Sequence, residues 1–108
     1  MKLETYKQWE EAVNHYRKID DLLKDKKFEE AKQEAIFSII SGCAGIYVLS
    51  EELKMPDLKV IAINAFQDLG EKLISKEHYT PKEIIKWARR TLKKLSDECP
   101  PDTFHPLR

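Results

Sequence analysis

The chain of 108 residues balances 19 lysines and arginines against 19 aspartates and glutamates, which excludes a globally polyanionic or polycationic binder and leaves only local charged patches. At 42% apolar and 35% charged, it has the composition of one soluble globular domain that buries about 60–70% of its unfolded surface around a modest core. Two cysteines cannot staple a disulfide framework and suit a reducing compartment.

At the N-terminus, Met1-Lys2-Leu3-Glu4-Thr5-Tyr6 runs straight into a charged amphipathic pattern, without the apolar stretch of a signal peptide. The longest charge-free run, Ala35 to Ser50, is shorter than the roughly 18–20 residues of a spanning helix. The expectation is a cytoplasmic protein with no membrane partner. With three glycines and no strand-like alternation, the chain reads as all-α: a four-helix bundle with a long apolar central second helix, in one domain over residues 1–99. Residues 100–108 form a proline-rich tail, expected to be irregular and pinned by Phe104 and Leu107.

The first helix is predicted over residues 4–24. Tyr6, Trp9, Val13, Tyr16, Ile19 and Leu23 recur at spacings of three and four and line one face. After an Asp25-Lys26-Lys27 turn, the second is predicted over 28–54, with Phe28, Ala31, Ala35, Ile39, Ile46 and Leu53 facing inward. Ile36 to Leu49 carries no charge on any face, and Phe37, Ser41, Ala44 and Val48 form a second stripe opposite the first. A helix apolar all round is buried all round. Either the other three helices cover both of its faces, or a symmetric partner covers the surplus. The second option makes Phe37, Ser41, Ala44 and Val48 a homodimer seam, with Ser41, Ala44 and nearby Gly42 and Gly45 small enough for close approach.

Met55-Pro56-Asp57 breaks the chain. The third helix, over 58–75, is predicted to face inward through Leu58, Ala62, Ala65, Phe66, Leu69 and Leu73, with Val60 and Ile63 on another side. The fourth opens at Thr80-Pro81-Lys82-Glu83, a capping box with proline in the first turn, and ends near Asp97. Its core face is Ile84, Ile85, Ala88, Leu92 and Leu95. Lys82, Lys86, Arg89, Arg90 and Lys93 occupy the opposite face, with Trp87 at the border. Such a stripe neutralises phosphates without reading sequence, with Trp87 able to stack on a base. The plainer reading is a solvated face whose cations offset the helix dipole.

Candidate chemistry is sparse. His15, His78 and His105 lie in separate elements, the cysteines form no C-x-x-C pair, and Glu11 with His15 is at most half a metal site; no metal or cofactor is expected. Cys43 sits in the apolar helix, where a thiol is an inert hydrophobe, and Cys99 lacks a cation-rich helix start. Asp20-Asp21 and Glu51-Glu52 are sequence neighbours that diverge from their helices rather than share a cleft. No catalytic residues are assigned.

The segment Leu22-Leu23-Lys24-Asp25-Lys26-Lys27-Phe28-Glu29-Glu30-Ala31 resembles the inter-helix turn of tetratricopeptide repeats. Its nearest echo, Leu73 to Tyr79, comes 51 residues later and not at the ~34 of that repeat. Continued through Lys32-Gln33-Glu34-Ala35 and the apolar helix, residues 16–54 are similar to HEPN-type domains. That resemblance implies a small, often dimeric four-helix bundle that acts on RNA or partners a nucleotidyltransferase. Its nuclease members carry an arginine followed by four to six residues and then a histidine. At that distance Arg17 meets Leu22, Leu23 and Lys24, and Arg89 meets Lys94, Leu95 and Ser96, so the nuclease motif is absent. The expected function is a non-enzymatic interaction or assembly module that partners itself or another protein. The alternatives are nucleic-acid binding through the fourth helix and an RNA-processing role of the HEPN kind.

Overall fold

The computed structural model describes residues 3–75 and 79–98, with side chains from Lys7 onward. Four helices follow in order: α1 (Leu3–Lys24), α2 (Phe28–Leu53), α3 (Pro56–Ile74) and α4 (Pro81–Glu98). The chain is an all-α four-helix bundle, and no strand occurs among the described residues. The expectations for Tyr6, His78, Cys99, His105 and the tail with Phe104 and Leu107 lie outside the described residues or side chains.

Local chemistry sets the boundaries. α3 begins two residues earlier than its apolar pattern predicts, because Pro56 takes the first helical turn, where a missing N–H costs nothing. The capping box of α4 forms: the Glu83 backbone N–H donates to Thr80 Oγ1 at 3.2 Å, and the Thr80 N–H donates to Glu83 Oε1 at 3.4 Å. The turns after α1 and α2 each place a lysine in the left-handed region, Lys26 at φ 57° and Lys54 at φ 54°. Returning N–H groups close both, from Lys27 to the Leu22 carbonyl and from Met55 to the Ser50 carbonyl, each at 2.9 Å.

α2 is the axis of the bundle. It packs against α1, α3 and α4, whereas α3 and α4 touch lightly and α1 and α3 share no substantial contact. Ala31, Ala35, Ile39, Ile46 and Leu49 of α2 are fully buried with Ala12 and Ile19 of α1 and Leu92 of α4. The three helices meet at Gly42, where a Cβ would lie 2.6 Å from Leu92 Cδ1 and 3.7 Å from the Trp9 ring. Glycine there lets the indole and the leucine close over the α2 backbone. By length and composition alone α2 could cross a membrane; here ten of its residues are buried within the protein.

Leu53, Phe66 and Leu73, expected to face inward, are exposed. α3 is buried along the line Leu58–Ala62–Ala65–Leu69, with Ile61 half-buried beside it. Phe66 and Leu73 stand about 50–70° off that line, and no described helix lies beyond them.

Candidate interaction surfaces

Among the described residues, ten large apolar side chains are exposed, and all lie between Phe37 and Ile74, on α2, α3 and their turn. None of the described side chains of α1 or α4 is among them. Because α1 and α3 stay apart on α2, one face of α2 is left between them. The predicted seam lies on this face. Phe37 is 48% exposed, and Ser41, Ala44 and Val48 are half-buried. Ile40 and Tyr47 widen the stripe toward α3, whose Val60, Ile63 and Phe66 are 40–55% exposed.

Between α2 and α3 the face dips into an open groove of about 410 Å³, lined by Ile40, Ala44, Tyr47, Ile63, Phe66 and Gln67 over a floor of Cys43 and Ala62. Against the lining Tyr47 lies Lys59, whose ammonium donates to Glu51 Oε1 at 2.6 Å and sits 5.0 Å from the Tyr47 ring centroid. The hydrogen bond to Glu51, then that to Tyr47, holds Lys59 above the usual lysine range. On the α1 side, His15 stacks obliquely on Phe37, with ring centroids 5.4 Å apart, and its Nδ1 is hydrogen-bonded to Glu34. The partner of His15 is thus Glu34 of α2, not Glu11 one turn away. A cross-helix pair of this kind has no sequence spacing to announce it.

The groove floor is chemically quiet. Burial pushes the Cys43 thiol up to about 12, so it is neither a thiolate nucleophile nor a metal ligand at neutral pH. Among the described residues, no three His, Cys, Asp or Glu side chains converge on a metal position.

The structure divides the basic stripe of α4. Arg89 is half-buried, hydrogen-bonded to Asp20 of α1, with its guanidinium 5.8 Å from the Tyr16 ring centroid. The Lys82 ammonium lies 5.1 Å from the Phe28 ring. Trp87 is half-buried on the α3 side beneath Lys72, whose ammonium is 5.1 Å away. These three tie α4 to its neighbours. Lys86, Arg90 and Lys93 remain as an exposed line, joined by Lys94.

No family description, characterised protein or solved structure matches this chain.

Proposed function

We propose that the protein is a non-enzymatic helical assembly module of the cytoplasm that pairs with a second copy of itself through the outward face of α2. The observation that carries this reading is the confinement of every exposed large apolar side chain among the described residues to α2, α3 and their turn. A solvated surface scatters such residues over all its helices; a contiguous patch marks an interaction site. Small Ser41 and Ala44 at the middle of the seam let a second backbone approach. The free, buried Cys43 thiol fits a reducing compartment.

Light scattering at two salt concentrations tests it. A mass near twice 12.7 kDa at both is expected, because an apolar seam is insensitive to ionic screening. Ala44→Glu places a carboxylate in the seam and returns the mass to one chain, with the helical signal unchanged. A folded variant that stays dimeric removes Ala44 from the interface, and a wild-type monomer overturns the reading.

A second reading, nucleic-acid backbone binding, is favoured by the line Lys86, Arg90 and Lys93, which faces solvent instead of bonding within the fold. The likeness of residues 16–54 to HEPN-type domains makes RNA the polymer to try first. Binding that weakens steeply with salt and disappears in Lys86→Glu/Arg90→Glu/Lys93→Glu supports it; salt-independent binding, or none at low salt, rejects it. Cleavage of labelled RNA by the pure protein would restore the HEPN-type enzymatic alternative.

A further inference from the structure

We infer that the second copy binds antiparallel, α2 against α2 about a twofold axis perpendicular to both helices, so that the two α3 helices come together on one side and the two grooves close on each other. The inference rests on the dimeric reading above and adds its geometry and the role of α3.

The first argument is the spacing of the seam. Phe37, Ser41, Ala44 and Val48 are separated by four, three and four residues, an order that reads the same in both directions. Antiparallel pairing sets Phe37 opposite Val48 and Ser41 opposite Ala44. Each end then holds one large and one medium side chain, and the small pair lies on the axis. Parallel pairing stacks Phe37 on Phe37 at one end and Val48 on Val48 at the other, which splays the helices.

The second argument is the placement of the flanking helices. A twofold perpendicular to α2 keeps α3 on the same side in both copies, so Ile63 and Phe66 face their counterparts. A twofold parallel to α2 exchanges the sides and lays Ile63 and Phe66 over α1. There His15 is hydrogen-bonded to Glu34, and Lys18 and Asp21 line a polar cleft of about 300 Å³. Burying half-exposed phenyl and sec-butyl groups against that charged surface costs desolvation with nothing to offset it.

Area agrees with this pairing. The exposed parts of Phe37, Ile40, Tyr47, Val60, Ile63 and Phe66 amount to roughly 500 Å² per copy, taking each aromatic at 150–250 Å² in full. A standard interface covers ~800 Å² per partner and is about 65% apolar in homodimers, which calls for about 520 Å². The patch is the right size for one copy of this chain.

The distance between nitroxide labels on Gln33→Cys tests the register. Gln33 is exposed, a Cys99→Ser background removes the second reactive thiol, and the buried Cys43 is protected from labelling. In the antiparallel dimer the two labels stand nineteen residue steps apart along the axis, about 28 Å at 1.5 Å per residue, so a peak near 30 Å is expected. A peak below about 20 Å signifies a parallel dimer. It overturns this inference and leaves the dimeric reading in place. A dimeric mass with any other separation places the contact on another face and also overturns it. A monomeric mass at the labelling concentration overturns both.

Discussion

Replacing Phe37 with serine separates stability of the pair from stability of the fold. The phenyl group is 48% exposed in the single chain. With roughly 200 Å² for the full side chain, pairing removes about 100 Å² from water in each copy. At ~25 cal/mol per Å² that is about 2.5 kcal/mol, and an isologous contact counts it twice. Side-chain ordering and incomplete coverage offset part of this, leaving about 3 kcal/mol, a rise in Kd of 100-fold or more. Within the fold, Phe37→Ser loses the half of the ring that the monomer already covers, its oblique contact with His15 included, so unfolding measured on dilute monomer shifts by about 1–2.5 kcal/mol, less than the loss in pairing. Ile39→Ala, two residues away but fully buried, is the control. It lowers fold stability by about 2–5 kcal/mol and leaves the affinity of the folded fraction unchanged. Sedimentation equilibrium gives both dissociation constants, and denaturant titration gives both stabilities. If Phe37→Ser dimerises within about threefold of the wild type, Phe37 is outside the interface and the seam is misplaced.

Gly42 and Gly70 have opposite surroundings and make a matched pair. Gly70→Ala has nothing within 4 Å and gains stability by about 0.8–1 kcal/mol, whereas Gly42→Ala drives a methyl to 2.6 Å from the fully buried Leu92 and loses about 1–3 kcal/mol by chemical denaturation. Lys54→Gly removes a Cβ from the left-handed region at the end of α2 and raises stability by about 1 kcal/mol; an unchanged or lower midpoint refutes the strain assigned to that turn. The Cys43 thiol, held protonated to about 12 against 9.0 for an exposed thiol, makes the folded state bind a proton that the unfolded chain gives up. Stability relative to Cys43→Ala is therefore flat through neutral pH and falls as pH rises between about 9 and 12. A parallel pH dependence in wild type and variant counts against it.

The sequence carried the elements almost in full, because each boundary is a local event. Thr80 and Glu83 bond to each other's backbone within one turn, Pro56 can only open a helix, and the Asp25-Lys26-Lys27 turn has no apolar residue to continue a stripe. The buried line of α4 and the central place of α2 were legible for the same reason: three- and four-residue spacings fix which side chains share a face. Partnerships between helices were not. His15 bonds to Glu34 rather than Glu11, and Arg89 to Asp20 across 69 positions, because the neighbour of an exposed polar group is decided by packing. Arg89 accordingly belongs to the frame of the bundle, and the exposed basic line shortens to Lys86, Arg90, Lys93 and Lys94.

Two departures from the expected core have one cause. On α2, the bundle leaves the second apolar stripe partly exposed, although its lack of charge alone left open whether the other helices cover it. On α3, Phe66 and Leu73 fall within the apolar arc of the helix yet outside its single contact line. Periodicity reports how wide an apolar arc is, not how much of it one chain can bury. A three- or four-helix contact around α2 uses one side of α3, so an arc that spans from Leu58 to Ile63 has an unused half. The unused halves of α2 and α3 border the same groove, with Cys43 and Ala62 as its floor. Had they faced away from each other, each would be an ordinary surface residue or two. Their adjacency turns two local surpluses into one continuous face, which is why α3 belongs in the proposed dimer.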